Sequence, residues 1–239
     1  MNKNIGKFFF RYRNILGPLL LILVILTGQP SYPLGRPDLN IAFDVIGVVI
    51  VLMGQALRIV TIGYEYIERG GKNRQVYASK LIQGGVFAHC RNPLYVGNIL
   101  IAVGVAFIIH SYAFYLIVVP FIIFTYSSIV AAEEDFLRNK FGEEYNRYCQ
   151  RVNRWLPRWK GWKSSTAEMT FNWRRVLVKE YNTFFLLTLS LIASKLWSEY
   201  RIVGPAALPS IEFFIGGLAV WLVLYIFVRS LKKTGFVKG

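Results

Sequence analysis

The sequence predicts an all-α protein: a polytopic membrane helix bundle of about six transmembrane helices, with both termini in the cytosol. Three observations predict it. The 239 residues are 54% hydrophobic and only 17% charged, whereas soluble domains carry about 25% charged residues. Apolar runs approaching the roughly 20 residues that cross a bilayer core recur along the chain. The Lys and Arg residues gather in alternate segments between those runs. The net charge of +15 therefore reads as positive-inside anchoring and attraction to anionic lipid. No nucleic-acid-binding motif accompanies it, and no nucleic-acid partner is expected.

Each element follows in order. Lys3, Lys7, Arg11 and Arg13 precede the first run, Ile15–Gln29. Gly28, Gln29 and Pro30 offer no small-x-small cleavage site, so this run reads as an uncleaved first membrane helix. A loop rich in Pro and Gly leads to the second run, Ile41–Ile62. The third, Leu94–Ile109, begins after Pro93, a residue that fits a first helical turn because its missing N–H has no partner there. His110, Ser111 and Tyr112 turn the chain into the fourth run, Ala113–Ala132, as a tight hairpin. The fifth and sixth runs are Thr183–Trp197 and Ile211–Val228. The third and fifth are short, which places their ends in the interface.

With the N-terminus inside, residues 1–14, 63–93, 133–182 and 229–239 are cytosolic. Every Lys and Arg except Arg36, Arg58, Lys195 and Arg201 then lies on that side, as the positive-inside rule demands. Arg36 and Arg201 fall in outer loops; Arg58 and Lys195 fall within or near helix ends. Asp44 lies in the second run near its outer end and is expected to reach the outer interface. The stretch Trp159–Thr170 reads as a hinge. It divides a core, 1–160, from a C-terminal hinge and helix pair, 161–239.

Cys90 and Cys149 sit in cytosolic stretches, where thiols stay reduced. Their spacing suits no zinc site, and with His89 and His110 as the only histidines a His-rich metal centre is excluded on supply. No metal is expected.

Water-facing chemistry must be built from the two long cytosolic stretches. The first runs from Ser79 through Gly84, Gly85, Phe87, Arg91 and Asn92 into the third helix at Pro93. Arg91 and Asn92 stand at the helix entrance, where free N–H groups and the positive helix end suit a carboxylate or phosphate. Gly84 and Gly85 permit close backbone approach, and Gly97 leaves room for a flat ligand or a neighbouring helix. The second stretch follows the fourth helix and opens with Glu133 and Glu134. The hairpin returns this acidic pair to the membrane face of Arg91 and Asn92. Such a pair of charges suits a zwitterionic ligand.

These stretches resemble the isoprenylcysteine carboxyl methyltransferase and phospholipid methyltransferase family. Gly85, Phe87, Arg91, Pro93, Tyr95 and Gly97 match a pattern like G-x-[YF]-x-x-x-R-H-P-x-Y-x-G. Glu133, Glu134, Leu137, Phe141, Gly142, Tyr145, Tyr148 and Val152 match E-E-x-x-L-x-x-x-F-G-x-x-Y-x-x-Y-x-x-x-V, with Arg154 and Pro157 trailing. The match covers roughly residues 40–160. The resemblance implies a membrane-embedded methyltransferase using S-adenosyl-L-methionine, with a cofactor tunnel open to the cytosol and a second opening toward lipid. By position it implies cofactor contacts at Ser79, Lys80, Leu81, Ile82, Phe87, Asn92, Pro93, Leu94, Tyr95 and Glu133, with positioning by Arg91, Asn92 and Glu134. Its implied partners are membrane lipids and a lipophilic or lipidated substrate.

Three departures stand out. The family His of R-H-P is Asn92 here, which can donate a hydrogen bond but cannot become cationic. The Arg that prenylcysteine enzymes carry one turn before the Glu pair is Ile129 here, beside Ser127 and Ser128. The chain also continues beyond the motif into two further helices. Two other classes stay open: an NADPH-dependent sterol- or ene-reductase-like enzyme, to which Asn92 lends weight while Asn98 argues against it, and a non-enzymatic transporter or scaffold.

Overall fold

A computed structural model describes residues 4–12, 15–16, 22, 28–65, 76–167 and 169–234, leaving aside the side chains of 206–213. The described residues are helices and loops, in agreement with the all-α expectation. The main helices are α1 (Asn40–Tyr64), α2 (Pro93–Ile109), α3 (Val119–Arg151), α4 (Trp162–Thr166), α5 (Trp173–Val203) and α6 (Leu208–Lys233). Among the described residues, four helical stretches are long and apolar enough to cross a membrane: Pro37–Tyr64, Phe114–Arg151, Trp173–Val203 and Phe214–Lys233. The apolar helix Pro93–Ile109 is shorter. The first expected run, Ile15–Gln29, falls largely outside the described residues.

The α2–α3 hairpin turns where the sequence predicts it. His110 adopts a left-handed conformation (φ 54°) and its N–H closes on Ala106 O at 3.2 Å. A π-helical turn, Phe114–Val118, then feeds α3. Two boundaries differ from expectation. α3 continues past Ala132 to Arg151, so the second cytosolic stretch is a prolongation of the membrane helix, bent at Gly142 (φ 51°). α5 starts at Trp173, ahead of the expected Thr183. Arg174, Arg175, Lys179 and Glu180 lower hydropathy there without lowering helix propensity much, and Asn172 caps the helix by accepting the Arg175 N–H at 2.8 Å.

α1 and α2 meet backbone to backbone through two glycine pairs. A methyl on Gly54 would lie 2.6 Å from Gly97 O, and one on Gly47 would lie 2.7 Å from Gly104 O. Small residues at such crossings let helices approach closely in lipid. Gly97 therefore accommodates a neighbouring helix, not a flat ligand: its own Cβ position is filled by Arg58 Cγ at 2.7 Å and Gly54 O at 2.8 Å.

α5 packs across α1 and α2, with Leu187, Leu191 and Trp197 against Val51, Val105, Ala106 and Ile109. An ion pair pins it at each end. Arg58 is buried and forks onto Glu180, Nε to Oε2 at 3.0 Å and Nη2 to Oε1 at 2.9 Å, and also bonds Asn98. At the other end Lys195 Nζ reaches Asp44 Oδ2 at 2.6 Å and Glu199 at 3.1 Å. Asp44 thus does not simply reach for the interface. It is held inside the bundle by Lys195 and by His110, 3.1 Å away, because α5 brings a cation to its depth. α6 packs on α5 through Tyr225 against Phe185 (4.1 Å between ring centres) and Trp221 against Phe184 (5.5 Å). The helical residues 4–12 lie on α3, where Phe9 and Phe10 are buried with Ile129.

Candidate functional site

The N-terminus of α2 and the limb of α3 that follows the membrane span meet at one corner of the bundle, at the Arg-rich end. Pro93 is the first residue of α2 and is buried. Tyr95, one turn in, faces α3, and its hydroxyl donates to Glu133 Oε1 at 2.7 Å. Its ring lies 5.1 Å from that of Tyr126. The neighbouring carboxylate, Glu134, is buried between two guanidinium groups. Arg154 Nε donates to it at 2.9 Å, and a second Arg154–Glu134 bond closes the fork. Arg91 Nη1 stands 3.3 Å away and also donates to Cys149 Sγ at 2.6 Å. Arg91 Nε is buried with no hydrogen-bond partner among the described residues.

This corner exists because the chain reverses after α3. Val152 is extended (φ −116°), and residues 153–158 run back along 89–92. The Arg91 N–H donates to Asn153 O at 2.9 Å, and the Arg158 N–H donates to His89 O at 3.1 Å. Asn92 Nδ2 donates to Arg154 O at 3.0 Å, so its side chain straps the returning segment and does not cap α2. The His89 ring meets Arg158 O and, at 2.7 Å, Ser165 Oγ.

Electrostatics follow from this packing. The Glu134 carboxylate holds the Arg154 guanidinium above its ordinary pKa, so that charge is fixed at any working pH. Burial pushes the Cys90 thiol up to about 11, and Cys90 donates to Trp155 O at 3.2 Å. Cys90 is therefore a neutral packing residue and not a nucleophile.

The fold gathers Arg91, Asn92, Pro93, Tyr95, Glu133 and Glu134 within this corner. Leu94 turns the other way and packs on Ile62 and Val176. Phe87 is buried beneath Tyr148, whose hydroxyl donates to Phe87 O at 2.7 Å. The segment carrying Ser79, Lys80, Leu81 and Ile82 lies along the far limb of α3. Lys140 Nζ donates to Ala78 O at 2.5 Å, and Gln83 Nε2 donates to Glu144 at 2.9 Å. Ser79 and Lys80 are exposed and Ile82 is half-buried, while Leu81 packs on Tyr145, Tyr148 and Val152. Arg154 is the member that sequence reasoning missed as a site residue. Its position after Val152 in the matched pattern was the available signal; its pairing with Glu134 needed the chain reversal.

The family model for phospholipid methyltransferases matches residues 43–144, which run from α1 to beyond the Gly142 bend. Residues 43–144 are thus similar to phospholipid methyltransferases. The chain is 34% identical over 121 residues to the "Probable protein-S-isoprenylcysteine O-methyltransferase" of Oryza sativa subsp. indica, and equally to that of subsp. japonica. Those alignments cover 47% of this chain and 60% of each relative's length. An uncharacterized protein of Haemophilus influenzae is 49% identical over 39 residues, covering 16% of this chain and 62% of that protein. No solved structure matches the chain. The family resemblance read from the residues is thus borne out. The matched region ends before Arg154, and α5 and α6 lie wholly outside it.

Proposed function

We propose that this protein is a membrane-embedded methyltransferase that moves the methyl group of S-adenosylmethionine to a lipophilic or amphiphilic acceptor. The observation that carries the reading is the Tyr95–Glu133 hydrogen bond, 2.7 Å long, at the helix entrance inside the matched segment. The donor set suits the cofactor. Glu133 is a half-buried carboxylate able to accept from ribose hydroxyls or an ammonium group. The rings of Tyr95 and Tyr126 offer π-faces to an adenine or a cation. The Tyr95 and Val96 N–H groups close on Asn92 O at 3.1 Å, and the dipole of α2 makes this helix end attractive to a carboxylate. When bound, the cofactor supplies an electrophilic methyl on a sulfonium.

The chain's own residues then act by placement. Tyr95 orients the Glu133 carboxylate. The buried Glu134, held by Arg91 and Arg154, fixes α3 against the returning segment and so fixes the distance from Glu133 to α2. Methyl transfer draws its acceleration from positioning and exclusion of water, and a rigid corner supplies both. The distribution of Lys and Arg supports a cytosolic opening. The bundle supports a lipid or lipidated acceptor that arrives through the bilayer.

The test is calorimetric titration of S-adenosylhomocysteine, and separately of NADPH, into the purified protein. Micromolar binding of the first alone is expected. Binding of NADPH alone would replace this reading with a reductase-like one. Binding of neither would remove the enzymatic reading.

A further inference from the structure

A second surface stands apart from the α2–α3 corner. Between Trp155 and Arg175 the chain crosses the ends of α1 and α5. The Asn172 N–H donates to Gly63 O at 2.9 Å. The Tyr64 ring at the end of α1 meets Trp162 at 5.6 Å and Phe171 at 5.2 Å, both edge-on. The helix ends set the level of this segment, at the Lys- and Arg-rich end of the bundle. It does not hide its apolar groups there. Leu156 is 77% exposed, Trp173 66% and Trp159 52%, although Trp159 is fixed in place by Trp162 (5.5 Å) and His89 (6.1 Å). Arg158, Lys160, Lys163 and Arg174 are exposed among these rings. From residue 145 to residue 179 the sequence contains one acidic residue, Glu168.

Held, exposed tryptophans interleaved with cations at a helix-end level match the chemistry of a phospholipid headgroup layer. Indole rings settle at that depth, and clustered Lys and Arg attract anionic lipid. We propose that this segment is a seat for anionic phospholipid, with Trp159 and Trp173 in the headgroup layer and Arg158, Lys160, Lys163 and Arg174 on the lipid phosphates. A soluble acidic partner would leave Leu156 and the two indoles without apolar cover, so the bilayer is the occupant that satisfies both features. The inference goes beyond methyl transfer and requires neither the cofactor nor a given orientation.

The experiment uses the full chain in nanodiscs, which present both leaflets. Tryptophan quenching by acyl-brominated phosphatidylglycerol is compared with quenching by acyl-brominated phosphatidylcholine. The wild type is expected to prefer phosphatidylglycerol several-fold. The triple variant K160Q/K163Q/R174Q is expected to lose most of that preference, with its melting temperature in phosphatidylcholine unchanged. W159F/W173F is expected to remove the headgroup-dependent part of the quenching, while Trp197 and Trp221 still report acyl chains. Should the triple variant not fold, K160Q and K163Q singly are expected each to remove a measurable part of the preference. Equal quenching by the two lipids, or a preference that survives these substitutions, overturns the proposal. So does a preference that persists at about 1 M salt, where surface charge is screened within about 3 Å.

Discussion

Glu134 and Glu180 are nearly equally buried, at 6% and 3% exposure, and each sits in an arginine fork. Their surroundings differ. Glu180 is met by Arg58 and, at 3.5 Å, by Gln55, all of them buried side chains of α1 facing α5. Glu134 is met by Arg91 and by Arg154, whose side chain is 41% exposed, at the edge of a corner built from three segments. The first pair is closed and fastens one helix to another. The second is open and would form the wall of the proposed site beside Glu133. Burial of a carboxylate alone does not distinguish a clamp from a site wall; the exposure and chain origin of its partners do.

The closed region also carries directional information. On α1 Asp44 precedes Arg58, and on α5 Glu180 precedes Lys195. Antiparallel packing pairs both opposites, Asp44 with Lys195 and Arg58 with Glu180. Parallel packing would set Asp44 against Glu180 and Arg58 against Lys195. The charges thus specify how the C-terminal helix pair docks on the matched segment, a role well attested for buried polar groups in helix pairing.

The largest effect is expected from breaking the clamp. Arg58→Ala or Glu180→Ala leaves an uncompensated buried charge, which costs about 3–5 kcal/mol. Thermal unfolding in detergent should show a large fall in melting temperature for each single variant and recovery in Arg58→Met/Glu180→Leu. Single variants that melt like the wild type would refute the clamp.

The open region should respond in the opposite way. Glu133→Ala is expected to weaken S-adenosylhomocysteine binding by roughly tenfold to a hundredfold, the worth of a hydrogen bond to a charged group. Tyr95→Phe, which keeps the ring and removes one bond of 2.7 Å, should weaken it a fewfold. Neither should move the melting temperature much. If both variants bind the ligand normally in calorimetry while melting lower, the corner is structural and the two regions are alike.

The sequence made one of these regions far more legible than the other. The α2–α3 hairpin could be read because apolar length, the His110–Tyr112 turn and Pro93 are all local signals, and closing the hairpin brings Glu133 to Tyr95 by geometry alone. The Arg58–Glu180 pair spans 122 positions and leaves no period in the sequence. Arg58 looked like an ordinary helix-end cation until α5 supplied its partner. The start of α5 was hidden for a related reason: hydropathy drops at Arg174, Arg175, Lys179 and Glu180 just where the helix begins. Arg154 was visible as a pattern residue, but its pairing with Glu134 depends on the reversal after Val152.

The two free cysteines sharpen the contrast at smaller amplitude. Cys90 is fully buried and its thiol is pushed up to about 11, so the reactive thiolate is scarce at neutral pH and gains only as pH approaches that value. In a Cys149→Ser background, which keeps an acceptor for Arg91, Cys90 is expected to resist maleimide in the folded protein at neutral pH and to react on unfolding. Rapid labelling of the folded protein would mean that the strap formed by residues 153–158 opens readily, and that this wall of the site is mobile.

The smallest effect is expected at Arg138, and it separates charge from placement on α3. Arg138 and Arg154 both follow Glu134 in the chain and carry the same charge. Arg138 is exposed, donating to Asn146 at 3.3 Å and standing 5.8 Å from the Tyr145 ring. Exposed contacts of this kind are worth little, and a surface substitution away from buried features usually stays within about 0.5 kcal/mol. Arg138→Ala should therefore leave both melting temperature and S-adenosylhomocysteine affinity near wild type. Arg154→Ala should lower both, because it strips one fork from the buried Glu134. Equal losses in the two variants would mean that the corner works through its overall field and not through the fixed Glu134 pairings.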